Sequence, residues 1–263
     1  MFPYNDSNKA SEQLNTQNQY TNSALFPKSM ANDNMSYKVA QNNVSNTAKD
    51  WELQPSVNLS DDKLINMMYP IMQDHENAKL FPYYDTRWNI TVGVGNNVNN
   101  KDSFYKTNWK VNGNPADKHY IDSCLENLKK EKQRIQNERI ASKEKPNEHN
   151  YKADYFKKFC DINIDDDTMY KMYYDHMKDD LKSLRKLIPN FDELSLNKRF
   201  VLMDYMYNLG SKKFSEKEFP NFIKGARTNN LDLMLKHDHR LGIDERRNRW
   251  TDKMLRKDLA NQE

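Results

Sequence analysis

Glu76, Asp85 and Thr91 stand in the order E-x8-D-x5-T, and the threonine opens a T-x-G-x-G run with Gly93 and Gly95. Two carboxyl groups and a hydroxyl so close together suit the cleavage of a glycosidic bond. That reaction needs one carboxylic acid to protonate the leaving oxygen and one carboxylate across the sugar ring to act on water or on the anomeric carbon. Taken singly, the three carry little: Glu76 reads as a surface charge, Asp85-Thr86 as the start of a turn, Thr91 as a strand residue. The Gly-x-Gly is no dinucleotide fingerprint, because the third glycine and the following helix are missing.

A helix end next to a hairpin can hold two such carboxyls on opposite walls of a cleft. The stretch "NLSDDKLINMMYPIMQDHEN" supplies the helix, with Ser60 as N-cap, Asp61 and Asp62 at its positive end, and Leu64, Met67, Met68 and Ile71 at helical spacing. Pro70 predicts either a kink or a second helix that carries on to about Glu76. "RWNITVGVGNNV" is aromatic and β-branched, which predicts short strands and tight turns. Residues 99–116 read as loop, and 117–143 as a polar helix with Ile121, Leu125, Leu128 and Ile135 along one stripe; "SKEKPNEHNYK" reads as a linker. Beyond Ala153 helical patterns multiply. "INIDDDTMYKMYYDHMKDDLKSLRKLI" carries Met169, Met172, Tyr173, Met177, Leu181 and Leu184 toward a core, and "LSLNKRFVLMDYMYNLG" is a more apolar helix that Gly210 can close. The expected fold is α+β, a small β-hairpin lobe beside a larger all-helical lobe.

The segment E-x8-D-x5-T-x-G-x-G resembles the active-site stretch of the phage-type lysozymes, glycoside hydrolase family 24. On that resemblance the fold is lysozyme-like and the chain a muramidase, hydrolysing the β-1,4 bond between N-acetylmuramic acid and N-acetylglucosamine without a cofactor. Glu76 is then the general acid, Asp85 the base that orients water, and Thr91 a hydroxyl that helps hold it. An acid at neutral pH calls for a partly buried Glu76 near apolar groups. "RFVLMDYMYNLG" matches the family's central helix, which makes Tyr207 and Asn208 sugar contacts; core packing and a helix cap remain the alternative. "RRNRWTDKM" resembles the stretch in which an arginine sits beside the catalytic glutamate, with Arg249 as the candidate and Arg247 as the rival register. Two departures stand out. Many relatives place a histidine where this chain has Asn96, and 66 residues separate Gly95 from Ile162, an insertion at about 99–152 that either lines the cleft, caps it or binds a partner.

Composition sets the frame. The 263 residues are 30% charged, and no apolar run approaches a membrane span, so stable membrane insertion is not expected. Residues 1–55 are rich in Asn, Gln and Ser, which predicts a flexible tail, an address or docking arm for a delivery partner, ahead of a catalytic domain over 56–263. The N-terminus has neither the basic nor the apolar region of a secretory signal. The expectation is therefore a protein made in the cytoplasm that reaches the wall by release or delivery and acts there as a monomer. Cys124 and Cys160 are expected to be free thiols in a reducing compartment. The pair His237 and His239 lacks a third ligand at useful spacing, so no metal is expected.

Residues 182–257 hold 18 Lys/Arg against 10 Asp/Glu, within a net charge of only +3, and this surplus could attract a polyanion. The aromatics there keep helical-core spacing rather than alternating with the basic residues, which argues against a nucleic-acid platform. The other rival is a non-catalytic wall-binding module, for which an acid and a base at this spacing would have no physical use.

Overall fold

The computed structural model describes residues 59–260. The segment 1–55, read above as a docking tail, lies outside them.

Helix α1 (Asp61–His75) begins at Ser60, whose hydroxyl accepts the Lys63 N–H, and runs unbroken through Pro70. Leu64, Ile65, Met68, Tyr69 and Met72 form its buried stripe. It ends abruptly. Glu76 is the C-cap and Asn77 takes a left-handed φ of 49°, while the Ala78 N–H reaches back to the Gln73 carbonyl and that of Asn77 to Asp74. This six-to-one closure fixes the direction in which Glu76 leaves the helix.

Three antiparallel strands follow: β1 (Lys79–Tyr84), β2 (Ile90–Gly93) and β3 (Asn96–Asn97), with Tyr83 opposite Thr91 and Thr91 opposite Asn97. The region read as loop over 99–116 is structured. It holds a short helix α2 (Lys101–Lys106), capped by Asn100, and a two-residue hairpin of β4 (Lys110–Val111) and β5 (Asn114–Pro115). Its polar, turn-rich sequence hid these elements, which are too short to display a repeating hydrophobic pattern.

The insertion is built on α3 (Lys118–Ala141), whose buried residues include Ile121, Leu125, Leu128 and Ile135, as the stripe predicts. Helix α4 (Ala153–Phe156) and a 3₁₀ turn (Lys157–Phe159) lie against it. The free-thiol expectation is overturned here: Cys124 on α3 is bonded to Cys160, with Cα atoms 4.6 Å apart. The two are 36 residues apart in sequence, and only the packing of α3 beside the 3₁₀ turn brings them together. Closing that loop limits the unfolded chain, so reduction or a Cys124→Ser, Cys160→Ser double variant is expected to cost about 2–4 kcal/mol, read as a fall in Tm.

The helical part comprises α5 (Asp166–Leu187), α6 (Leu196–Lys213), α7 (Pro220–Arg227), α8 (Leu231–Lys236) and α9 (Glu245–Ala260). Every residue of α6 from Leu196 to Tyr207 is buried, so α6 is the axis of this part. Gly210, at φ 70°, breaks its helical backbone where the sequence placed a stop. No helix among the described residues is long and apolar enough to cross a membrane.

One buried acid on α5 is under pressure. Asp180 lies 3.6 Å from His176, but burial, reinforced by Asp179, pushes its carboxyl up to about 7, and burial pulls His176 down. Burial thus opposes the charged form of both partners. A raised folded pKa stabilises the fold below the unfolded value of 3.8 and loses that contribution as pH rises through about 7. Asp180→Asn is expected to leave stability unchanged near pH 3 and raise it at pH 8, on the order of 1–3 kcal/mol, in melts run at both pH values.

Candidate active site

Glu76 stands where α1 ends, and its carboxylate accepts a hydrogen bond from Arg247 Nη1 at 2.7 Å. Its side chain is 19% exposed, a partly buried group as expected, but its partner is a guanidinium rather than an apolar wall. Arg249, the first candidate for this arginine, is exposed on α9. Two residues along a helix turn the side chain through about 200°, so only one of the two registers faces inward, and it is that of Arg247.

Arg247 is held from behind. Asp204, fully buried at the centre of α6, accepts from Arg247 Nε at 2.9 Å and lies 2.8 Å from its Nη2. The same carboxylate accepts from Arg240 Nη2 at 2.7 Å and from His75 Nδ1 at 2.8 Å. Burial opposes the charge on Asp204, yet the His75 hydrogen bond and the charges of Arg247 and Arg240 hold its carboxyl well below the usual carboxylate range. Arg240 completes the knot over the Tyr205 ring, 4.0 Å from its centroid, and donates to Thr251 at 3.2 Å. Asp204 thus balances Arg247, leaving Nη1 to orient Glu76. Sequence reasoning passed over Asp204 and Arg240. The signal was a lone aspartate amid the apolar run "FVLMDYMY", a charge that burial forces to find partners.

The glycines of the hairpin have a physical task here. Gly95 lies so close to Glu76 that a Cβ on it would sit 2.8 Å from Oε2, and its φ is +67°. Gly95→Ala is expected to displace the carboxyl and reduce turnover about 10–100-fold, while far-ultraviolet circular dichroism stays native. Full retention of turnover would separate Gly95 from the site.

Asp85 begins the turn between β1 and β2. Its Oδ1 accepts the N–H groups of Arg87 (2.9 Å) and Asn89 (2.8 Å), and Oδ2 accepts the Asn89 side-chain amide at 2.9 Å. The turn forces Trp88 to a φ of 66°, tolerated because its indole is buried and donates to the Pro146 carbonyl in the insertion. Thr91 is buried on β2, its hydroxyl 3.4 Å from the Asn89 carbonyl. The Tyr83 phenol of β1 is pushed up by burial and then by the negative charges of Glu76 and Asp85.

Tyr207 does not present its ring to a sugar. It is buried, lies 4.4 Å from the His176 ring, and donates its hydroxyl to the Val94 carbonyl, so it pins the Gly-x-Gly turn to α6. The apolar period of its helix, which carries it inward, was the stronger signal. Asn208 is partly buried, with a side-chain oxygen that has no partner among the described residues. Asn96, in the place of the family's histidine, reaches the Met172 carbonyl at 3.5 Å. No group of three or more His, Cys, Asp or Glu able to hold a metal ion occurs among the described residues. No protein-family model matches this chain, and no curated protein sequence matches it.

Proposed function

We propose that this chain is a lysozyme-like muramidase that hydrolyses the β-1,4 bond between N-acetylmuramic acid and N-acetylglucosamine in peptidoglycan, in bacterial lysis or antibacterial attack. The observation that carries the reading is the seating of Glu76: a carboxyl at a rigid helix end, oriented by a charge-balanced arginine and pressed against Gly95 of the hairpin that carries Asp85 and Thr91. A surface glutamate needs neither a buried counter-ion network nor a glycine cleared for it. In this mechanism Glu76 protonates the departing glycosidic oxygen as the bond to the anomeric carbon breaks. Asp85, fixed by three N–H donors, takes a proton from the water that attacks the opposite face, and the Thr91 hydroxyl helps position that water.

The disulfide supports action outside the reducing cytoplasm, in the periplasm or beyond, where such bonds persist. Delivery would bring the chain to the wall, and monomeric action on glycan strands needs no second subunit. A binding module that has lost turnover is the alternative, and the intact pair of carboxyls weighs against it.

Digestion of purified peptidoglycan, with fragments reduced by borohydride and resolved by mass spectrometry, tests the reaction. Reducible N-acetylmuramic acid ends are expected. Anhydro ends would mean a lytic transglycosylase, and no release by a folded, wall-binding protein would leave only the binding module. Inversion is the proposed stereochemistry, for which inverting enzymes hold their carboxyls roughly 6.5–9.5 Å apart; the first product seen by proton NMR should be the α-anomer.

A further inference from the structure

Helix α3 pairs most of its cations. Lys118 meets Asp122, Lys130 meets Glu126, Arg134 meets Glu131 and Glu138, and Arg139 meets Glu144. The pairing stops on one face. Lys101 of α2 and Lys129 make no ion pair among the described residues and line a cavity of about 360 Å³ between the insertion and the hairpin, beside Lys132, whose ammonium is already held by the Trp88 carbonyl at 3.5 Å and lies over the Tyr84 and Trp88 rings. Its floor is apolar, formed by Tyr84, Ile90, Phe104 and Leu125. No carboxylate and no arginine lines it. Asn99 adds a donor, since its side-chain oxygen is taken by the Ile90 N–H and its amide nitrogen is left over.

Like charges close together repel, yet a fold rich in acidic residues leaves Lys101 and Lys129 without an ion pair at a concave site of ligand size. We propose that this cavity binds the phosphodiester groups of an anionic cell-wall polymer. Ammoniums act as point charges suited to phosphate, whereas a planar carboxylate favours the two-pronged fork of arginine, which is absent. The aromatic floor is buried, Tyr84 at 3% and Phe104 at 1% exposure, so no ring face is open for a nucleobase to stack on. The basic surplus of residues 182–257 marks a different region; the unpaired cations of this site lie in the insertion. The polymer's identity rests on the wall-degrading reading, while the phosphate site stands on charge and shape alone.

The test titrates a glycerol-phosphate oligomer into the full-length protein by calorimetry. Binding that weakens with salt is expected, about tenfold weaker in Lys101→Gln, Lys129→Gln and unchanged in Lys130→Gln, whose charge is already paired. Turnover of phosphate-free peptidoglycan should be the same in wild type and double variant. Absence of binding, or an equal loss in Lys130→Gln, overturns the site. Inorganic phosphate binding as tightly as the oligomer, or a single-stranded oligonucleotide binding more tightly, overturns the wall polymer as its occupant. If peptidoglycan is not cleaved but the oligomer still binds and the double variant still loses it, the enzymatic reading fails and the phosphate site stands.

Discussion

Asp204→Asn is expected to destabilise the fold by about 3–5 kcal/mol at neutral pH, measured by chemical or thermal denaturation. The carboxylate is fully buried and is the common acceptor of His75, Arg240 and Arg247. Asparagine keeps the shape but removes the charge, leaving two buried guanidiniums without their shared counter-ion. Arg240 keeps Thr251 and the Tyr205 ring, and Arg247 keeps Glu76 and the backbone carbonyl of residue 204, but the neutral amide oxygen cannot balance either charge. The pH dependence has a definite sign. A depressed folded pKa stabilises the fold above the unfolded value of 3.8 and loses that contribution as pH falls below it. Wild type and variant should therefore converge in strong acid. A loss under about 1 kcal/mol at pH 7 would mean that the buried charges are not in the arrangement described.

Glu76→Gln is expected to lower peptidoglycan turnover by about 10²–10⁴-fold with no loss of folding. The amide oxygen can still accept from Arg247 Nη1, so the network behind it survives and a structural explanation for lost activity is removed. What the amide cannot do is give up a proton to a leaving oxygen. Turnover within tenfold of wild type would remove Glu76 from the chemistry, and binding of the wall by an inactive variant would show that the substitution acts on the chemical step. Asp85→Asn should fall alongside it, because the water would lose its proton acceptor.

Much of this was legible in the chain. Ser60 and the acidic first turn announced α1, the β-branched run from Ile90 announced the hairpin, and the stripe through Ile121, Leu125 and Leu128 announced the insertion helix. Those signals are local, set by capping and by hydrophobic period. What escaped was set by contacts distant in sequence. The choice between Arg247 and Arg249 depends on how α9 is rotated about its axis, and the Cys124–Cys160 bond on how α3 packs beside the end of the 3₁₀ turn. Tyr207 shows a different limit: its chemical type suits sugar stacking, but its place in an apolar helix buries it. The lysine cavity was invisible because Lys101 belongs to a helix too short to announce itself.

The ion pair at Glu76 also sets an order of events during synthesis. Its arginine is 171 residues downstream, so at roughly 5–20 residues per second the ribosome needs about 10–30 s to deliver it after the glutamate has been added. During that interval the emerging chain holds Glu76, Asp85 and Thr91 but not the residue that aims the first of them. A product ended before α9 would carry Glu76, Asp85 and Thr91 without the arginine that orients the first of them, so the last helix acts as a completion mark for the site.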